Sequence, residues 1–175
     1  MKHYDFTLKF SFNDASTEPE QYVNVLGENG CDDAIIGIGQ KGIIALQFYR
    51  LSNNALDAIL SAIVDVKQVI PEVKLVEASP DLVGLSDIAE LIGVSRQNVR
   101  KLMLHHSDTF PLPTYSGKTS LWHLSGILDW FEKQQNKALE PTMMEVARAN
   151  LQVNLAKDLH LFDSGMQSRL SDISF

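Results

Sequence analysis

The stretch Ser86-Asp87-Ile88-Ala89-Glu90-Leu91-Ile92-Gly93-Val94-Ser95-Arg96-Gln97-Asn98-Val99-Arg100-Lys101-Leu102 carries the decisive pattern. Its apolar spacing predicts two short helices, over about 86–92 and 96–105, joined by a tight turn. Ser86 and Ser95 suit the N-caps of the two helices. Gly93 permits a positive φ in the turn. Ala89 is small where the helices must approach each other. Ile88, Ile92, Val94, Val99 and Leu102 supply a shared core. With Val99, Leu102 and Met103 turned inward, Arg96, Gln97, Arg100 and Lys101 face out, and Ser95 sits at the exposed end. Arginine matches guanine bidentately and glutamine matches adenine, while serine and lysine suit phosphate. Asp87 and Glu90 lie on the first helix, away from that face.

The next segment extends the pattern. Phe110-Pro111-Leu112-Pro113 is followed by Thr114-Tyr115-Ser116-Gly117-Lys118-Thr119-Ser120-Leu121-Trp122 and then by a helix bearing Leu124, Ile127, Leu128 and Phe131. Over about residues 84–135 the chain resembles the winged helix-turn-helix of MerR-like and phage excisionase-like DNA-binding proteins. The resemblance implies a major-groove recognition helix, with a wing on the sugar-phosphate backbone. It makes Ser95, Arg96, Gln97, Asn98, Arg100, Lys101, Tyr115, Lys118, Thr119 and Ser120 the candidate DNA contacts. Leu121 stands where family wings often carry an arginine.

Upstream, Tyr4, Phe6, Leu8, Phe10 and Phe12 alternate with polar residues, the period of a half-buried strand over 3–13. Thr17 with Glu20 fits a capping box, opening a short helix that stops near Gly27. Two isoleucine-rich runs flank Gly39-Gln40-Lys41-Gly42 and read as a hairpin. A helix from about Asn53 to Val69 carries Leu56, Ile59, Ile63, Val66 and Ile70, and Val73–Ala78 forms a fourth strand. The order β-α-β-β-α-β predicts a ferredoxin-like domain within an α+β chain. The expected organisation is a partner or sensor domain over 1–80 and a linker at Asp81-Leu82-Val83-Gly84. A winged helix-turn-helix follows over 84–137, then a C-terminal helix over 141–158 and a flexible tail over 162–175.

Charge is unevenly distributed within the net −7. Counted from the sequence, residues 1–83 carry −6, residues 84–137 carry +1 and residues 138–175 carry −2. Only the middle segment would not repel a polyanion. No apolar run approaches the roughly 18–20 residues that cross a bilayer. The opening residues alternate polar and apolar, so no signal peptide is expected. The single cysteine, Cys31, cannot close an internal disulfide. These features predict a soluble, intracellular protein without membrane contact, and the resemblance implies a cytoplasmic, bacterial, nucleoid-associated one.

Other motifs read as structure. Gly37-Ile38-Gly39-Gln40-Lys41-Gly42 matches a dinucleotide fingerprint, but a strand-like run follows where a helix must hold the pyrophosphate. His105, His106 and His123 lack companion ligands for a metal. Cys31-Asp32-Asp33 with Glu28 has no nearby histidine, and no catalytic constellation stands out. No cofactor, no metal and no enzymatic activity are expected. The expected function is sequence-specific duplex-DNA binding in transcriptional regulation, as a repressor or autoregulator. A homodimer is expected, through Met143, Ala147, Leu151 and Leu155 or the free sheet face. The alternative is an antitoxin-like adaptor whose acidic N-terminal half binds a protein. A small-molecule partner of that half is a further option.

Overall fold

The computed structural model describes residues 1–170 and Ile173. Its first half is built on β1 (Lys2–Ser11), where period-two alternation buries Tyr4, Phe6, Leu8 and Phe10 on one face. A 3₁₀ turn (Pro19–Tyr22) leads into α1 (Val23–Glu28). Thr17 does not cap this helix. Its carbonyl accepts the Gly42 N–H at 2.9 Å instead, tying the loop to the next hairpin. That hairpin comprises β2 (Ala34–Gly37) and β3 (Ile43–Ser52). Gly42 has φ +72°, and a Cβ there would lie 2.8 Å from the Ala15 backbone, so both conformation and space demand glycine.

Asn54 opens α2 (Ala55–Val69), its side chain accepting the Asp57 N–H at 2.8 Å. The buried face of α2 is Ala55, Ala58, Ile59, Ala62 and Val66. Leu56, expected on that face, is exposed, because the alanines let the helix lie close to the sheet and turn Leu56 outward. Strand β4 (Lys74–Ser79) completes an antiparallel sheet in the order β2-β3-β1-β4. α1, α2 and the long helix described below cover the sheet's apolar face in one core, which also holds Cys31.

Arg50, on β3, is buried and knits this half together. It holds Asp33 through two nitrogens at 2.9 and 3.0 Å, and reaches Asp65 at 2.7 Å and Ser61 at 3.1 Å. Its fifth N–H goes to the Gly30 carbonyl, and its guanidinium lies 4.8 Å from the Phe48 ring centroid. The Cys31-Asp32-Asp33 segment is thus part of a structural ion-pair node. Burial pushes the Cys31 thiol up to about 11, so it stays protonated at neutral pH.

The second half begins where a linker was expected. Leu82–Val83 is instead a strand, β5. Asp81 beside it is buried and its carbonyl accepts the Leu124 N–H at 2.7 Å. Then come α3 (Leu85–Ile92), α4 (Arg96–His105), β6 (Trp122–His123), which pairs with β5, and α5 (Leu124–Gln135). A second core gathers Val83, Ile88, Ile92, Val99, Phe110, Trp122, Ile127 and Phe131 with their neighbours.

Helix α6 (Pro141–Lys157) belongs to both halves. Val146, Ala149 and Val153 enter the first core, and Ala147 enters the second. This changes the expected dimer seam. Ala147 is fully buried and Met143 packs against the second core, leaving Leu155 exposed and Leu151 half-buried. Asn154 on α6 accepts the Ala78 N–H at 2.9 Å and donates to the Ala78 carbonyl at 2.8 Å, taking the place of a further strand on the β4 edge. Its remaining N–H reaches Asp81 at 2.8 Å. The expected tail contains a helix, α7 (Ser164–Leu170). Ser171, Asp172, Ser174 and Phe175 lie outside the described residues. Among the described residues no helix is long and apolar enough to cross a membrane.

Candidate nucleic-acid interface

The turn between α3 and α4 follows the local chemistry of its residues. Gly93 takes φ +73°, and its N–H caps α3 on the Glu90 carbonyl at 3.1 Å. Lys137 donates its ammonium to the Ile92 carbonyl at the same helix end. At the other end of α3 the N-cap is Gly84, not Ser86. The Asp87 carboxylate accepts the Gly84 N–H at 2.7 Å, the acidic half of a capping box. Ser95 does cap α4, its hydroxyl accepting the Asn98 N–H at 3.1 Å.

Fully buried Val99 sets the rotation of α4 about its axis, and Leu102 and Met103 are half-buried beside it. Ser95, Arg96, Gln97, Asn98, Arg100 and Lys101 are all exposed. The wing residues close a short hairpin. Tyr115 and Leu121 exchange two backbone hydrogen bonds, at 3.2 and 3.0 Å, around the loop 116–120. Tyr115, Lys118 and Thr119 are exposed and Ser120 is half-buried.

The hairpin is anchored from both sides. Trp122 donates its indole N–H to the Pro111 carbonyl at 2.9 Å, and Phe110 meets Trp122 and Trp130 edge-on. His123 Nδ1 lies 2.8 Å from Asp81 Oδ1, so the base of this hairpin is tied through Asp81 to Asn154 and the sheet edge. Sequence reading missed Asp81 and Asn154. The available signal was Asn150 and Asn154, two amides one turn apart on the same face of α6.

The cations sort by location. Lys2, Lys9, Lys41, Arg50, Arg148 and Lys157 are each paired with a carboxylate. Among the described residues, Arg96, Arg100, Lys101 and Lys118 have no such partner, and neither do Lys67, Lys74, Lys133 and Lys137. Asp87 and Glu90 line a cleft toward the sheet that none of these cations borders. His106 packs edge-on against Trp130, and His105 meets His106. Among the described residues no three or more histidines, cysteines or carboxylates gather in a metal-binding group.

Gly37–Gly42 links two strands, with β3 directly after it, so no helix N-terminus stands there for a pyrophosphate. Comparison of the chain with protein-family models, curated proteins and solved structures finds no match.

Proposed function

We propose that this protein binds duplex DNA sequence-specifically and regulates transcription, as a repressor or autoregulator. One observation carries the reading. Among the described residues, the exposed face of α4 and the wing loop bring together four cations without carboxylate partners in a chain of net charge −7, in which six other cations are paired. Free guanidinium and ammonium groups on an exposed helix are the equipment for base edges and phosphates. Ser95 and buried Val99 hold that helix in a defined orientation, which a reader needs. Ser95, Gln97, Asn98, Tyr115, Thr119 and Ser120 supply the neutral contacts.

The winged helix-turn-helix resemblance fits this reading. The antiparallel order β2-β3-β1-β4, with α1 and α2 on one face, favours a ferredoxin-like description of the first half. A homodimer remains part of the proposal, because two-fold proteins read two half-sites. Its favoured surface is now the β2 side of the open sheet face, where Ile35 is exposed, since most of the α6 row is internal. A cytoplasmic, nucleoid-associated location follows from the same reading.

The test is binding of the purified protein to its own upstream region against random duplex, at two salt concentrations. The upstream fragment is expected to bind more tightly, with affinity falling steeply with salt. Arg96→Ala or Arg100→Ala is expected to cost about 1–3 kcal/mol of specific binding. Lys118→Ala is expected to weaken both duplexes alike and lower the salt slope by about one. Thermal stability is expected to be unchanged in all three. No binding to either duplex would overturn the reading. It would favour the acidic N-terminal half as an adaptor for a basic protein.

A further inference from the structure

A cleft of about 660 Å³ lies where the two halves meet. That volume falls within the range of small-molecule sites. One wall is the open face of the sheet, with Asp5, Thr7 and Gln47. The opposite wall is α3, with Asp87, Glu90 and Leu91, and α6 closes an end through Glu140, Met143 and Val146. Pro80 and Leu82 add apolar surface. Four carboxylates border the cleft and no lysine, arginine or histidine does.

A second hollow of about 440 Å³ shares Asp5, Glu140 and Thr142 with it and continues toward Lys2, His3 and Tyr49. Lys2 is engaged there by Glu145 at 2.8 Å. Tyr49 is exposed and stacks on His3 with ring centroids 4.5 Å apart. Apolar walls, several carboxylates and an exposed aromatic at the far end together suit one ligand class. Carboxylates attract a cation, the Tyr49 ring adds a cation–π surface, and the apolar wall takes a hydrocarbon body. An anion would meet four like charges.

We propose that this cleft binds an amphipathic organic cation, an aryl or alkyl amine or quaternary ammonium. The ligand would touch the sheet and α3 at once. Because α3 packs on α4, it would fix the position of the recognition helix relative to the first half. That coupling rests on the DNA-binding reading, whereas the site itself does not.

The probe is (naphthylmethyl)trimethylammonium, titrated into the full chain without DNA and followed by its fluorescence, with naphthalenesulfonate as the matched anion. Saturable one-to-one binding is expected, with the anion at least about tenfold weaker. Glu90→Gln with Glu140→Gln is expected to weaken the cation about tenfold. Asp87 is left intact because it caps α3. Gln47→Lys, at an exposed strand position, puts a cation in the cleft and is expected to abolish binding even if the double variant folds poorly. Arg100→Ala is expected to leave it unchanged.

Equal binding of the anion, or no saturable binding of the cation, would overturn the proposal. So would undiminished affinity in folded double and Gln47→Lys variants. Repeating the DNA titration with saturating cation then tests coupling. Cation binding by a chain with no DNA affinity would retain the site and remove only the regulatory reading.

Discussion

Replacing Asn154 with alanine tests whether α6 holds the two halves together. Asn154 makes three hydrogen bonds: with the N–H and the carbonyl of Ala78, at 2.9 and 2.8 Å, and with Asp81 Oδ2, at 2.8 Å. Each is worth about 0.5–1.5 kcal/mol net when lost. Asn154 is only half-buried, so water can recover part of the loss. The expected destabilisation is therefore about 1–3 kcal/mol, a large share of the roughly 5–15 kcal/mol typical of a domain. Asn154→Asp is a near-isostere but should cost at least as much at pH 7. It aims a carboxylate at the Ala78 carbonyl and at Asp81, two acceptors.

The assay is urea unfolding followed by far-UV circular dichroism and by tryptophan fluorescence. Trp122 and Trp130 both lie in the second core, so fluorescence reports that half and dichroism reports the whole. Because α6 contributes to both cores, the two probes are expected to give coincident transitions in the parent chain, and Asn154→Ala is expected to lower the midpoint for both. A change below about 0.5 kcal/mol, within the usual range of a surface substitution, would refute the role assigned to Asn154. Well-separated transitions in the parent chain would refute the shared helix.

Two further outcomes follow from local geometry and charge. Gly93→Ala forces alanine into a left-handed conformation but meets no atom within 4 Å, so the expected cost is about 1–2 kcal/mol. Gly42→Ala adds a clash with the Ala15 backbone to a similar φ, so its cost should exceed that of Gly93→Ala in the same urea experiment. Hydrogen bonds from Lys2 and Tyr4, at 2.8 and 2.6 Å, hold the Glu145 carboxyl below its usual value of 4.5. A lowered folded-state value stabilises above pH 4.5 and is lost as pH falls through it. Glu145→Gln is therefore expected to flatten the acid limb of the stability–pH curve, and an unchanged limb would remove this link between β1 and α6.

A regulator with this architecture would couple its halves through solid contacts. The second core, the Asp81 cluster and α6 connect the base of the 115–121 hairpin to the sheet edge without a flexible linker. Asn150 extends the connection by donating to the Pro80 carbonyl at 3.1 Å, and its side-chain Oδ1 is buried with no hydrogen-bond partner among the described residues. A change at the cleft would reach α3 through packed groups, which is the route the proposed ligand requires.

What the residues determined alone was local. The alternation of Tyr4, Phe6, Leu8 and Phe10 specifies a strand with one buried face, because successive side chains point opposite ways. The Gly93 turn, the Ser95 cap and the inward Val99 were legible because they depend on neighbours within a turn of helix. Leu56 shows where hydrophobicity misleads. Three small alanines share the close-packed face of α2 with Ile59 and Val66, and Leu56 is left out of it. A two-residue strand such as Leu82–Val83 is too short to show a period and exists only because Trp122–His123 lies beside it.

The tertiary structure decided the rest. Helix α6 was evident as a helix, but which faces were buried depended on two cores that meet around it. The cleft, whose walls come from the sheet, the β4–β5 segment, α3 and α6, had no signature along the chain. Nor did the meeting of Asn154 with Ala78 and Asp81, because a side-chain amide can take a strand's place only after packing has carried α6 to the β4 edge.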